Sequence, residues 1–198
     1  MTLRTEIGQG VLKELQNTLD WLKSQVLDEE RLGDFTKAIL LHRSQIFLVG
    51  KGRSGLVAQA FAMRLAQIGS KARFLGEPTV PPVEKGDLFI VVSGSGTNLV
   101  EETKIAKEVG AKIIVVTSYK DSALAVLADL LLIIPGREKE DSEVPYYERK
   151  LKGRPALALG TAFEILAMVT FDSVIGTIVE EQKMSEKDLQ KRHARPQF

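Results

Sequence analysis

The chain contains no cysteine in 198 residues. Disulfides, thiolate nucleophiles and cysteine-ligated metals are therefore excluded, although this alone does not fix a compartment. Charge of one sign is also missing. Lys plus Arg number 27 and Asp plus Glu 26, for a formal net charge of +1. That balance gives no electrostatic case for nucleic acid or a membrane surface as partner. Long apolar runs are absent too: "LADLLLII" is far short of the ~20 residues that span a bilayer. The opening "MTLRTEIGQG" has no apolar core of signal-peptide length. A cytoplasmic soluble protein is the plain expectation.

What is present is ordinary in bulk and specific in pattern. Hydrophobic residues make up 44% and charged residues 27%, typical of a globular chain, and the length suits one domain spanning 1–198. Residues 1–43 read as two N-terminal helices, 3–27 and 29–43. In the first, Leu3, Ile7, Val11, Leu12, Leu15, Leu19, Leu22 and Val26 recur at helical spacing. Residues 44–135 read as a sheet core. "IFLVG" (46–50) is a short apolar run of the kind a buried parallel strand shows, and a helix is expected from Ser54 to Gln67. "ARFLG" is the next strand. The phrase then repeats: strand 87–92, glycine loop, helix 98–109, Gly110, strand "KIIVV". A short helix near 121–127 leads into a fifth strand in "LADLLLIIPG". Such units imply right-handed crossovers and an α/β fold, a parallel sheet with helices on both faces. Residues 136–154 are highly charged and read as a surface loop. A long helix over 156–182 and a short one over 185–192 complete the C-terminal section, 155–198.

Ligands of open parallel sheets sit beyond the carboxyl ends of the strands, where both glycine loops fall. The first, "GKGRSG" (50–55), satisfies G-x-G-x-x-G, and Glu77 follows Gly55 by 22 residues. A dinucleotide fold keeps its ribose-binding acid at about that place, so a nicotinamide cofactor is one reading. The second loop, "SGSGTN", argues for another. Ser93, Ser95, Thr97 and Asn98 bring neutral donors to a helix N-terminus, where the macrodipole also favours an anion. Together with Gly52, Arg53, Ser54, Gly94 and Gly96 they suit one phosphate monoester held without a metal. The plainer reading of the loop is a strand–helix turn with Thr97 as N-cap.

The stretches "GRSG" (52–55), "FAMRLAQIG" (61–69), "FLGEPTVPPVEKGDLFIVVSGSG" (74–96), "LGTAFE" (159–164) and "KRHA" (191–194) carry a resemblance. The chain resembles sugar isomerase (SIS) domain proteins, and among them the 6-phospho-3-hexuloisomerases, over nearly its whole length. The resemblance implies a flavodoxin-like, five-stranded parallel sheet and a homo-oligomer, usually a tetramer, with no cofactor. It also implies a phosphorylated hexulose as substrate, 3-hexulose 6-phosphate being interconverted with fructose 6-phosphate through an enediol. That reaction is one half of formaldehyde fixation, or of ribulose 5-phosphate supply run backwards. The chain departs from the family at Lys51, where a small residue is usual, and at Thr97-Asn98, where a charged residue and then Thr are usual.

Glu164 has two readings on its own. Thr161-Ala-Phe-Glu164 is a capping box, and a carboxylate is equally a suitable base for an enediol reaction. The family's catalytic Glu falls at this position. His193, in "QKRHAR", reads alone as a tail imidazole; the match at "RHA" implies an acid–base or hydroxyl-orienting group, acting on a neighbouring subunit's site. His42 reads as a charge complement at a helix C-terminus, and Trp21 as packing. Phe163, Leu166, Ala167, Thr170, Phe171 and Val174 form an apolar stripe expected in a core or an oligomer interface. Two rival classes stay open. Other SIS isomerases, such as arabinose 5-phosphate isomerases, usually carry a C-terminal pair of nucleotide-sensing repeats. Non-catalytic phosphosugar sensors add an N-terminal DNA-binding domain. The sequence shows neither addition, and its N-terminal helices are poor in basic residues.

Overall fold

The computed structural model describes residues 3–25, 27–42, 44–136 and 161–192. Five short strands form one parallel sheet: β1 (Ile46–Gly50), β2 (Ala72–Phe74), β3 (Leu88–Val92), β4 (Lys112–Thr117) and β5 (Leu130–Ile133), in the order β2-β1-β3-β4-β5. The apolar runs of β1, β3 and β4 follow from burial on both faces, whereas β2 at the sheet edge carries the exposed Arg73. Ile46, Leu48, Leu88, Ile90, Val92, Ile114 and Val116 point to one core. Phe47, Val49, Phe89, Val91, Ile113 and Val115 point to the other.

Helices α1 (Leu3–Ser24), α2 (Glu29–Leu41), α3 (Gly52–Gln67), α4 (Val100–Val109), α5 (Thr161–Glu181) and α6 (Glu186–Arg192) surround the sheet. The first core is closed by α2, α3 and α5, and the second by α4 with a 3-10 turn at Ala125–Leu127. Phe61 and Phe171 stack with ring centroids 4.2 Å apart, and Phe35 lies 5.9 Å from Phe171. Truncating one such buried ring to Ala costs about 3–5 kcal/mol. The expected stripe Phe163, Leu166, Ala167, Thr170, Phe171 and Val174 is buried in this layer. By length and composition α5 could cross a membrane, but Phe163, Leu166, Ala167, Phe171, Val174, Ile175 and Ile178 on it are buried in the core.

Several boundaries differ from expectation for local reasons. The first helix ends at Ser24 and the second at Leu41, where His42 turns extended with ψ 136°. The helix after β1 begins at Gly52, two residues before Ser54. That after β3 begins at Val100 rather than residue 98. The helix expected near 121–127 is one 3-10 turn. The N-terminal stripe is real, but Val11, Leu12, Leu15 and Leu19 are exposed, and Leu22 is the stripe residue packed against the core. Trp21 is half-buried on α1 and lies outside the two main core clusters. The charged loop expected over 136–154 lies, past Gly136, outside the described residues.

Candidate active site

Strands β1 and β3 are neighbours, with Gly50 aligned to Val92, so the two glycine loops leave the sheet side by side. The connection after β1 runs to one face through α3 and that after β3 to the other through α4. This reversal is a topological switch point, where open α/β sheets bind ligands. The order β2-β1-β3-β4-β5 is the flavodoxin-like one. The dinucleotide fold has the order 3-2-1-4-5-6 and places its switch between other strands, so the nicotinamide reading loses its frame.

Two of the three glycines in the first loop serve packing. A Cβ on Gly50 would lie 2.8 Å from the Gly55 backbone, and one on Gly55 would lie 2.6 Å from the Gly50 carbonyl oxygen. Helix α3 therefore starts directly on the end of β1. Gly52 takes φ +58°, and the first turn of the helix then carries Arg53, exposed, and Ser54, buried.

The second loop is folded onto the end of β4. The Ser93 N–H donates to the Val116 carbonyl at 3.0 Å, Ser118 N–H to Gly94 carbonyl at 3.2 Å, and Leu124 N–H to Gly96 carbonyl at 3.0 Å. Gly96 has φ +65°, and a Cβ there would lie 2.1 Å from Ser122 Oγ. Gly94 lies under the Phe163 ring, which a Cβ would approach to 2.9 Å. Ser93 is buried, Ser95 half-buried, and Thr97 and Asn98 are exposed. Thr97 is not the N-cap of the following helix. That position falls to Leu99, left-handed at φ 71° and with no side-chain cap. Thr97 Oγ1 instead meets Ser95 Oγ at 2.9 Å. A bulky residue in the left-handed region costs roughly 1–2 kcal/mol, and such strain gathers where a loop is held for a purpose. The buried Leu99 side chain, inserted in the second core, holds the conformation.

Glu164 reaches the same place from a distant part of the chain. It is buried in the first turn of α5, beside the Phe163 that covers Gly94. Its Oε2 accepts from Arg53 Nε at 2.5 Å. The capping-box expectation put Thr161 outside the helix, whereas α5 already includes it; the carboxylate is turned to Arg53. His193 lies outside the described residues. The other predicted site residues are all on the two loops that Arg53 and Gly94 tie to α5.

Sequence reasoning overlooked one charged pair. Lys51, the N-cap of α3, sits 3.3 Å from Glu102 in the first turn of α4. The Glu102 carboxyl is held below the usual carboxylate range chiefly by its own backbone N–H, against a burial penalty that raises it, with Lys51 adding smaller lowering contributions. Thr117, Ser118 and Ser122, against which the second loop rests, were also overlooked. Their signal was a polar run, "TSYKDS", at a strand's carboxyl end.

The arrangement can hold an anion at two helix N-termini lined by hydroxyls and can present a carboxylate beside it. It defines a flavodoxin-like α/β protein with its binding crevice at the β1/β3 switch. The chain belongs to the SIS domain family, whose match covers residues 39–149. It is 38% identical to an uncharacterized protein of Archaeoglobus fulgidus over 96% of both chains. It is 32% identical to the 3-hexulose-6-phosphate isomerase of Bacillus subtilis, over 96% of this chain and 97% of that one. Among solved structures it superimposes with TM-score 0.74 and 30% identity on a Methanococcus jannaschii protein inferred to be a 3-hexulose-6-phosphate isomerase, covering 95% of this chain and 99% of that chain.

Proposed function

We propose that the chain is an isomerase interconverting 3-hexulose 6-phosphate and fructose 6-phosphate. The observation that carries this reading is the Glu164 carboxylate, buried and held by Arg53 against the glycine-loop crevice. Its similarity to 3-hexulose-6-phosphate isomerases over almost the full length of both chains supports the substrate. In this reading Ser54, Ser93, Ser95 and Thr97 hold the phosphate with the amides of Gly52, Gly94 and Asn98, while Gly96, whose N–H donates to the Ser93 carbonyl at 3.0 Å, shapes the loop that presents them. No metal takes part. Glu164 removes the proton on the second carbon, giving the enediol, and returns a proton to the third carbon. The hydroxyl proton moves in the same sense, from the oxygen on the second carbon to that on the third, so the ketone shifts from the third carbon to the second with no net redox change. Arg53 orients the carboxylate. His193, by resemblance, orients or shuttles the hydroxyl proton.

The working form in this reading is a homo-oligomer, a tetramer by resemblance. Its support on the chain is the α1 stripe of Val11, Leu12, Leu15 and Leu19, exposed on a 22-residue helix.

Enzymatically prepared 3-hexulose 6-phosphate, with fructose 6-phosphate as the readout, tests the proposal directly. Product formation at an ordinary enzymatic rate is expected. Binding without turnover would make the chain a phosphosugar sensor, and turnover of arabinose 5-phosphate alone would make it a different SIS isomerase.

A further inference from the structure

Lys51 and Glu102 lie 51 residues apart in sequence and join the N-terminus of α3 to that of α4. Those two helices follow β1 and β3, so the pair spans the mouth of the switch-point crevice. Lys51 Nζ stands 3.3 Å from Glu102 Oε1, with the side chains 58% and 49% exposed. An ion pair this exposed contributes no more than about 1 kcal/mol, so either partner is readily exchanged. The two loops carry one other cation, Arg53, whose Nε is held by Glu164. Every other candidate phosphate donor in them is a hydroxyl, a side-chain amide or a backbone amide. A phosphate monoester carries roughly −1.5 to −2 charges at pH 7, and charge-assisted hydrogen bonds are about twice as strong as neutral ones. Lysine is suited to the task as a compact charge on a flexible four-carbon stem.

We infer that Lys51 is the cation of the phosphate subsite, parked on Glu102 in the free protein and transferred to the substrate phosphate on binding. The inference rests on the phosphosugar reading of the crevice. Glu102 thereby sets the affinity: it competes with the phosphate for the ammonium group and tethers the two loop helices while the site is empty. The low position of the Glu102 carboxyl keeps this competitor charged at neutral pH.

Steady-state kinetics and competition by inorganic phosphate on Lys51→Met, Lys51→Arg, Glu102→Gln and the Lys51→Met/Glu102→Gln double variant test it. Lys51→Met should raise KM and the phosphate inhibition constant together by about 5- to 20-fold, with kcat moving less than about threefold, because phosphate is bound in ground and transition states alike. Lys51→Arg should stay near wild type. Glu102→Gln should lower KM about two- to threefold in the wild-type background and leave it unmoved in the Lys51→Met background, since its effect runs through the ammonium. An unchanged KM in Lys51→Met overturns the inference and leaves the isomerase reading standing. Equal effects of Glu102→Gln in both backgrounds also overturn it, because the carboxylate would then act only as a nearby charge. A wild-type protein without turnover removes the isomerase reading instead. Calorimetric phosphate affinity of the same variants then decides the role of Lys51.

Discussion

Arg53 Nε lies 2.5 Å from Glu164 Oε2 across 111 residues of sequence. One partner begins the helix after the first glycine loop, and the other begins the long C-terminal helix. Their contact, with Phe163 lying over Gly94, gathers three separate segments at one end of the sheet. A buried carboxylate oriented by a guanidinium at a ligand crevice is equipped to move a proton, and the same geometry could serve only to tie α5 to α3. A single substitution separates these roles.

Glu164→Gln preserves the size of the side chain and an oxygen for Arg53 to bond, but it cannot take up a proton as a base. Turnover should fall by about 10²–10⁴-fold. Arg53 is 59% exposed on its side chain, so the lost charge pair should cost little stability and the melting temperature should stay close to wild type. Retained activity with a loss of ~1 kcal/mol or more in urea unfolding would assign the pair to structure alone.

Gly96→Ala should be disproportionately damaging for one methyl group. The position has φ +65°, and the added carbon would fall 2.1 Å from Ser122 Oγ and 2.9 Å from Thr117 Oγ1. Left-handed strain and overpacking together should cost about 2–4 kcal/mol in equilibrium unfolding. Adding Ser122→Gly should relieve the clash with Ser122 and leave the conformational share and the close Thr117 contact. A Gly96→Ala protein as stable as wild type would mean that the loop is freer to shift than its contacts with β4 imply.

Ser95→Ala tests the cradle. Ser95 is half-buried and bonded to Thr97 Oγ1 at 2.9 Å, so its loss leaves the loop backbone in place. A hydrogen bond to a charged group contributes about 1.5–3 kcal/mol. KM should therefore rise by about 10-fold or more while kcat changes less. Activity should survive a chelator. An unchanged KM moves the phosphate away from this loop.

The sheet was legible because its central strands are apolar runs of few residues closed by glycine or a polar turn, and both loops were legible as glycine with hydroxyls. The long-range partners were not. Nothing local distinguishes Glu164 as a cap from Glu164 as the partner of Arg53, and nothing near Lys51 points to Glu102. Thr97 carries the usual chemistry of an N-cap, yet Leu99 takes that place because its side chain fills the second core. Periodicity marked α1 as amphipathic but could not say that Val11, Leu12, Leu15 and Leu19 stay exposed while Leu22 meets the first core. Helix α3 starts early because Gly50 and Gly55 let it lie on the end of β1. That contact is backbone against backbone, which a pattern of side chains does not reveal.

His193 supplies the last prediction. It follows α6, which is capped at its start and packed against the core near its middle. Ser185 and Asp188 form a reciprocal cap, with Ser185 Oγ donating to Asp188 Oδ2 at 2.6 Å and Asp188 N–H donating to Ser185 Oγ at 3.2 Å. Leu189 packs against the first core. The chain thus enters its final residues from a fixed helix, although His193 itself lies outside the described residues. An enediol needs water kept away from it, and among the described residues the crevice is bounded by the two glycine loops and the start of α5. A neighbouring subunit's tail can supply a further wall, and a neutral imidazole, with a reference pKa near ~6.5, can donate and accept at pH 7. If so, Glu164→Gln and His193→Ala proteins, each nearly inactive, should regain activity when unfolded together and reassembled. Statistically, mixed assemblies then contain sites with both groups intact. Recovery should track the fraction of mixed oligomer seen by native mass spectrometry. Should His193→Ala keep full turnover, the imidazole has no part in the chemistry; should both variants be inactive and the mixture stay so, each site draws its histidine from its own chain.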